Sequence, residues 1–226
     1  MHAYLSQKAN KRIIDALEQE GFEIKTLAPF GALSHPVDTH VDMLLLAVGD
    51  TIFVHKDYEI EFNGFKNTIK VDEPISSKYP NDVLLNIAVV GKNVFCNTKY
   101  ASKTVIKHLE DNNHAIHHVE QGYAHCSTCI VSENAIISAD FGIVQKAQKM
   151  GIDALLITSG HISLPPYNYG FIGGSCGSCG DKIYFCGALK YHPDGDKIRA
   201  FCEKHQKIVI ELLDAPLVDI GGILIK

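Results

Sequence analysis

Two Cys-x-x-Cys pairs are the residues of this sequence best suited to chemistry. HCSTC, residues 125–129, supplies Cys126 and Cys129 beside His125. GGSCGSCG, residues 173–180, supplies Cys176 and Cys179. Thiolates and imidazoles are ligands that zinc prefers, and a thiol near an imidazole can also act as a nucleophile. The spacing therefore raises two functional hypotheses, a metal site and a reactive thiol, beside the ordinary role of cysteine as a small apolar packing residue.

The composition disfavours several classes of function. Hydrophobic residues make up 46% of the 226 residues, which is enough for a core without disulfides. The formal net charge of −5 argues against a surface for nucleic acid or anionic membrane. No apolar run reaches the length of a membrane span, and the first residues lack the apolar core of a signal peptide. We therefore expect a cytoplasmic protein with no nucleic-acid or membrane partner, whose cysteines are thiols, metal ligands or small core residues rather than disulfides.

The pattern strand, polar turn, strand recurs four times along the chain. The segments are LLLAVGDTIFV, NIAVVGKNVFC, CIVSENAIISA and SCGDKIYFCGA. Their turns fall at Gly49, Gly91, Glu133 and Gly180, at spacings of 42, 42 and 47 residues. A nearly constant period in the forties is typical of a repeat architecture.

The segments after the hairpins repeat as well. The second, third and fourth hairpins are each followed by an amphipathic helical pattern and then a short apolar strand, so each unit has the order ββαβ. The predicted units cover about 40–80, 82–119, 124–158 and 173–213. In the first unit, EIEFNGFKNTIKVDEPISSKYP has no helical period and predicts an irregular surface excursion.

The two chain ends together supply a fifth unit. The C-terminal LVDIGGILIK resembles a first hairpin strand with no second strand after it. The N-terminus supplies HAYL, a helix predicted from about Ser6 to Glu20, and the strand FEIKTL. We therefore predict that residues 217–226 join residues 1–28 and close a ring, which removes exposed sheet edges. The predicted fold class is a single-domain five-bladed α/β propeller.

Five ββαβ units closed by the termini resemble the pentein, or guanidino-group-modifying-enzyme, fold. The resemblance covers nearly the whole chain. That family includes arginine deiminase, dimethylarginine dimethylaminohydrolase, amidinotransferases and a non-catalytic ribosome anti-association factor. HVDMLLLAVGDTIFV is similar to the family's Asp-containing strand, which implies that Asp42 binds a guanidinium group. GYAHCSTCIVSENAIISADFGIVQKAQKM resembles the third unit, which implies that His125 is the catalytic histidine.

The last unit departs from the family pattern. Catalytic members carry a nucleophilic cysteine on its first strand, whereas this sequence has Gly221 and Gly222 about where that thiol is expected. The resemblance therefore implies either a non-catalytic member or one that has moved its nucleophile.

Polar residues just before the first strand of each unit are predicted to converge on one mouth of the ring. Counted back from the hairpin turns, they are His40, Asp42, Asn86, His125, Cys126, Ser127, Cys176 and Asp219. Ionisable groups that converge in a concave site are the best ground for a functional hypothesis.

Three interpretations of the paired cysteines remain open. Cys126, Cys129, Cys176 and Cys179 could hold a zinc ion, although alternation along a strand points residues i and i+3 to opposite faces. Cys176 alone could be a relocated nucleophile beside His125. All four could simply pack in the interior.

The leading expectation is a hydrolase or transferase acting on an amidine, guanidine or related C–N bond of a small cationic molecule. Cys176 would be the nucleophile, His125 the general acid and base, and Asp42 the cation-binding acid. His40, Asn86, Ser127 and Asp219 would contact the substrate. No cofactor is expected. The alternative is a non-catalytic binding protein of the same fold, with zinc on the four paired cysteines.

Overall fold

Five three-stranded sheets surround a common axis in the structure, a computed structural model that describes all 226 residues. Four of the sheets are each formed by a continuous stretch of chain. Blade 1 contains β3 (Leu45–Val48), β4 (Thr51–His55) and β5 (Asn67–Val71), and is preceded by the single-turn helix α2 (Val41–Leu44). Blade 2 contains β6 (Ala88–Val90), β7 (Asn93–Cys96), the helix α3 (Lys103–Asp111) and β8 (Ala115–His118).

The next two blades repeat the arrangement of blade 2. Blade 3 contains β9 (Thr128–Ser132), β10 (Ala135–Ser138), the helix α4 (Phe141–Lys149) and β11 (Asp153–Leu156). Blade 4 contains β12 (Cys176–Cys179), β13 (Lys182–Phe185), the helix α5 (Gly195–Lys204) and β14 (Ile208–Glu211). In every blade the second strand lies in the middle, antiparallel to the first and parallel to the third.

Glycine makes three of the four hairpin turns possible. Gly49, Gly91 and Gly180 have φ values of 58°, 57° and 57°, in the left-handed region that residues with a side chain rarely adopt. Two-residue turns with positive φ match the twist of the flanking strands, so these glycines fix the hairpin register. The spacings of 42, 42 and 47 residues in the sequence therefore correspond to the recurrence of tight hairpin turns in the structure.

Blade 5 is built from both ends of the chain. It contains β1 (His2–Ser6), the helix α1 (Lys11–Gln19), β2 (Glu23–Leu27) and β15 (Leu224–Ile225). β1 lies in the middle, parallel to β2 and antiparallel to β15, with Ala3 opposite Ile225 and Tyr4 opposite Leu224. This arrangement confirms the predicted five-bladed ring closed by the two termini.

Hydrogen bonds near the axis join each blade to the next. Around the ring they run from Asp42 N to Gly221 O, from Asn86 Nδ2 to Asp42 O, from His125 N to Asn86 Oδ1, from Ser178 Oγ to Ile130 O, and from Ile223 N to Cys176 O. Every blade takes part, so the inner strands form one continuous hub.

The helices cover the outer side of the sheets through a narrow apolar face. In α1, Ile13 and Leu17 are fully buried and pack with Leu5 of β1. In α5, Ile198 and Cys202 are fully buried in the core shared by blades 3 and 4. None of the helices is long and apolar enough to span a lipid bilayer.

Two boundaries differ from the sequence predictions. The first helix begins at Lys11 rather than at about Ser6, because β1 continues to Ser6 and the Asn10 side chain caps the helix by accepting a hydrogen bond from Arg12 N. The excursion in blade 1 is not wholly irregular. It contains β5, which pairs with β4 in parallel without an intervening helix.

Closure of the hub predicts that Gly177 in β12 tolerates no side chain. A Cβ atom there would lie 2.4 Å from the carbonyl oxygen of Ile223, just before β15. We expect Gly177→Ala to lower the free energy of unfolding by about 1–3 kcal/mol in urea denaturation, because the backbone of one blade must move. Gly31→Ala is the matched control, since a Cβ there meets no atom within 4 Å. Equal stability of the two variants would contradict the close contact between blades 4 and 5.

Candidate functional site

Three ionisable side chains gather at the hub from the two segments that close the ring. His40 and Asp42 lie at the start of α2, and Asp219 lies five residues before β15. Their exposed fractions are 4%, 2% and 4%. They meet because the backbone N–H of Asp42 donates to the carbonyl oxygen of Gly221, which fixes the last segment of the chain against α2.

The imidazole of His40 lies between the two carboxyl groups. His40 Nδ1 is 3.9 Å from Asp42 Oδ1 and 3.7 Å from Asp219 Oδ1. Both distances exceed a hydrogen bond. The three groups therefore face one another without direct hydrogen bonds.

Backbone N–H groups fix the carboxyl group of Asp219. Oδ1 accepts from Gly221 N at 2.9 Å and Oδ2 accepts from Phe171 N at 2.9 Å. A Cβ atom at Gly174 would lie 2.0 Å from Asp219 Oδ1, so the absence of a side chain at Gly174 makes room for the carboxyl group. Sequence reasoning missed this role of Gly174, although its place in the GGSCGSCG segment was a signal of close backbone approach.

The carboxyl group of Asp42 has no hydrogen-bond partner. Both of its oxygens are buried, and no protein donor reaches either of them in hydrogen-bond geometry. The thiol of Cys126, a weak donor, lies close enough to this carboxyl group to lower its pKa, but outside hydrogen-bond geometry. No lysine or arginine forms an ion pair with Asp42 or Asp219. An unpartnered buried carboxylate is costly, so this arrangement indicates a ligand that supplies positive charge or donors.

Burial shifts the proton equilibria of all three groups toward their neutral forms. Burial, followed by the charge of Asp219, raises the pKa of Asp42 to about 8. Burial raises the pKa of Asp219 to about 6, against the opposing effect of its two backbone hydrogen bonds. Burial lowers the pKa of His40 to about 4. At neutral pH the ligand-free site therefore holds a neutral imidazole and a largely protonated Asp42.

Asp42 also borders a cavity along the axis of the ring. This axial cavity has a volume of about 240 Å³ and is lined by the polar or reactive residues Asp42, His125, Thr128, Cys176 and Ser178, with glycines and apolar side chains between them. His125 is partly exposed, but its Nδ1 is buried without a hydrogen-bond partner, and burial lowers the pKa of the imidazole to about 4. The structure thus brings Asp42, His125 and Cys176 to one cavity.

Asn86 positions the strand segment that carries His125. Its Oδ1 accepts from the backbone N–H groups of His125 and Cys126, and its amide donates to the carbonyl oxygen of Asp42. Asn86 is therefore engaged with the backbone and does not line the axial cavity. The substrate contact predicted for Asn86 stays a prediction, and in the structure its amide joins blades 1, 2 and 3.

Ser127 is directed away from the axial cavity. It borders a separate cavity of about 140 Å³, together with Gln121, Asp140 and Thr158. Ser127 Oγ is buried and has no partner there. Ser127 thus borders a different cavity from the one that Asp42 and Cys176 border.

The structure separates the four cysteines of the zinc hypothesis. Cys126 lies beside Asp42, whereas Cys129 and Cys176 contact each other in the core between blades 3 and 4. Cys179 is partly exposed, with its sulfur 3.8 Å from that of Met1. The four thiols cannot share one ion. The one group of His, Cys, Asp or Glu side chains close enough to share an ion is His40, Asp42 and Asp219.

A second hub cavity, which we call the aromatic cavity, borders Asp219 of the carboxyl pair. It has a volume of about 290 Å³ and is bordered by His40, Cys126 and Asp219. Its aromatic walls are Tyr123, Tyr167, Tyr169 and Phe171. Asp42 does not border it, and the axial cavity does not reach His40 or Asp219.

Comparison with known proteins identifies a family and a fold. The model of a family of unknown function, DUF6873, matches residues 4–224. No curated protein matches the chain.

Solved structures of DDAH, a pentein superfamily member, share the fold. One is DDAH from Pseudomonas aeruginosa, a Cys-to-Ser mutant complexed with citrulline, with a TM-score of 0.54 and 11% identity. Two others, each with a TM-score of 0.54 and 12% identity, are dimethylarginine dimethylaminohydrolase adducts with 4-chloro-2-hydroxymethylpyridine and, in a His-to-Gly mutant, with S-methyl-L-thiocitrulline. Each match covers 93% of this chain and 91% of the other. The likeness confirms the pentein fold; at this identity it concerns the fold alone.

The buried position of Asp42 predicts a pH-dependent cost to the ligand-free protein. Its pKa near 8 exceeds the unfolded value of 3.8, so stability present at low pH is lost as pH rises toward 8. We expect Asp42→Asn to remove this loss. Between pH 5 and pH 8, wild type should lose at least about 1.4 kcal/mol relative to the variant in urea denaturation, equivalent to one pKa unit.

Asp181→Asn is the control, because Asp181 lies exposed in the turn between β12 and β13. It should follow the wild-type pH dependence. Parallel curves for wild type and Asp42→Asn would contradict the raised pKa of Asp42.

Proposed function

This chain belongs to the family of unknown function DUF6873 and has the pentein fold, and we propose that it binds a small amidinium or guanidinium compound and breaks one of its C–N bonds. The observation that carries the proposal is the carboxyl group of Asp42. It is buried, has no partner on either oxygen, and borders the cavity that His125 and Cys176 also line.

An amidinium or guanidinium group suits the vacant acceptors of Asp42. Such a group is planar and can donate two parallel N–H bonds to one carboxylate, an arrangement that combines charge with fixed geometry. The positive charge also offsets the cost of ionising Asp42 next to Asp219. The axial cavity, at about 240 Å³, favours a small ligand.

Cys176 and His125 supply the proposed chemistry. The thiol of Cys176 passes its proton to the neutral imidazole of His125 as the thiolate forms beside it, since burial lowers the pKa of His125 to about 4 and only a neighbouring negative charge would stabilise the imidazolium. The sulfur then attacks the amidine carbon and forms a C–S bond. The C–N bond breaks as His125 returns the proton to the leaving amine, and water subsequently cleaves the C–S bond and restores the thiol.

The fold neighbours support this class of ligand. They were solved with citrulline and as an adduct with S-methyl-L-thiocitrulline, compounds whose side chains end in a planar ureido or isothioureido group. In this chain Gly221 and Gly222 border the axial cavity near the closing segment, and Cys176 is the thiol that borders the same cavity.

A second candidate function is binding of the same class of cation without turnover. The thiol of Cys176 donates to the carbonyl oxygen of Gly173 at 3.6 Å and contacts Cys129, so its hydrogen bond is not directed to a base. Asp42 alone would then define the function, and Cys176 would be a packing residue.

Alkylation with 2-chloroacetamidine separates the two candidates. If Cys176 is the nucleophile, the amidinium is held by Asp42 and Cys176 is alkylated first, as mapped by peptide mass spectrometry. Neutral 2-chloroacetamide should react at least about tenfold more slowly at Cys176, since a hydrogen bond to a charged group contributes about 1.5–3 kcal/mol. Asp42→Asn should abolish this preference.

The partly exposed Cys179 is the internal reference for unassisted alkylation. Its rate should be similar with both reagents and unaffected by Asp42→Asn. If Cys176 stays unmodified while 2-chloroacetamidine stabilises the wild type thermally and not Asp42→Asn, binding without catalysis is the function. Labelling confined to Cys179, with no stabilisation, would contradict both candidates.

The ratio of the two alkylation rates should depend on pH. Only the ionised carboxylate of Asp42 attracts the amidinium, and burial raises its pKa to about 8. We therefore expect the amidine-to-amide rate ratio at Cys176 to rise by up to about tenfold per pH unit between pH 6 and pH 8, and then to level off. Ionisation of the thiol cancels in the ratio. A ratio independent of pH would show that Asp42 does not hold the reagent.

A further inference from the structure

We propose that His40, Asp42 and Asp219 form a binding site for a divalent transition-metal ion, with zinc as the first choice. One ligand atom from each of the three lies within 4.8 Å of those of the others, and all three side chains are buried. Imidazole and carboxylate are ordinary zinc ligands. The proposal is separate from the chemistry of Cys176 and shares only Asp42 with it.

The spacing of the three groups fits a common ion better than a hydrogen-bond network. His40 Nδ1 lies 3.7 Å from Asp219 Oδ1 and 3.9 Å from Asp42 Oδ1, too far for hydrogen bonds. Around a tetrahedral zinc ion with bonds of about 2.0–2.1 Å, neighbouring ligand atoms are roughly 3.4 Å apart. An inward shift of a few tenths of an ångström at His40 would bring both distances into that range.

Backbone groups orient two of the proposed metal ligands, Asp219 and His40. The two hydrogen bonds from Gly221 N and Phe171 N hold the Asp219 carboxyl group in one orientation, and Oδ1 keeps a second lone pair for an ion. A Cβ at Gly221 would lie 2.3 Å from the Cβ of His40, and Gly221 has a φ of 80°. Glycine at this position therefore permits the imidazole to approach the closing segment.

The charge balance favours a dication. The site offers two carboxyl groups and no lysine or arginine partner, and both oxygens of Asp42 lack donors. One divalent ion would neutralise both carboxylates and occupy a vacant acceptor of Asp42. Three protein ligands leave a fourth position that water can reach from the hub cavities, which makes the proposed ion exchangeable.

Metal titration of chelator-treated protein tests the proposal. We expect wild type to bind one zinc ion per chain by isothermal titration calorimetry, with a rise in thermal stability. His40→Asn should weaken binding at least about tenfold, as loss of a ligand does. Cys126→Ser and Cys176→Ser are the matched controls, and both should bind zinc like the wild type. Circular dichroism verifies that each variant is folded.

Cobalt substitution identifies the ligand atoms in the wild type without any variant. Bound Co²⁺ should give visible d–d bands without the intense near-ultraviolet band of a cobalt–thiolate bond. The proposed site is wrong if the protein binds no stoichiometric metal ion or if bound Co²⁺ shows a thiolate band. It is also wrong if zinc binding survives His40→Asn and is lost in a cysteine variant. None of these metal-binding results bears on the alkylation of Cys176 by 2-chloroacetamidine. The metal site and the proposed function can therefore be refuted independently.

Discussion

The hydrogen bond from Asp42 N to Gly221 O is the interaction on which the candidate site depends. It joins the first blade to the segment that enters blade 5, and β15 then pairs with β1 in the same blade. Residues near opposite ends of the chain thereby meet at the axis, which gives His40 and Asp42 a partner in Asp219. The ring closure is a feature of the fold, but its consequence is chemical, because it encloses two carboxyl groups with no protein cation to balance them.

Such an enclosure opposes stability and is typical of functional sites. Burial raises the pKa values of Asp42 and Asp219 and lowers those of His40 and His125, so at neutral pH the ligand-free hub keeps its imidazoles neutral and a proton on Asp42, while Asp219 is largely ionised. The surrounding sheets compensate through buried apolar cores between each pair of adjacent blades. A local cost of this kind within a well-packed protein is the pattern expected at a ligand-binding site, and it is the basis of both proposals.

The sequence predicted the arrangement of the five blades better than it predicted which side chains share the candidate site. Glycines at positive φ set the hairpin period, and the apolar alternation around them marked the strands, so the ring and its closure followed from local signals. The strand β5 lacked such a signal because three of its five residues are exposed. The hub residues precede the inner strands in turns and in α2, where period-two alternation does not apply. The direction of these side chains could therefore not be predicted by counting along a strand, and Asn86 and Ser127 lie outside the axial cavity that Asp42 and Cys176 border.

Asp42 belongs to both proposed sites at the hub, one for an organic cation and one for a metal ion. From the axial cavity it faces His125 and Cys176, and a planar cation there would use both of its vacant oxygens. Toward His40 and Asp219, which border the aromatic cavity, it offers one ligand of a three-residue metal set. One carboxylate cannot serve both ligands fully, because a bound cation of either kind removes the negative charge that attracts the other. The two proposals therefore describe alternative states of one site, and the local concentrations of zinc and of the organic cation would decide between them.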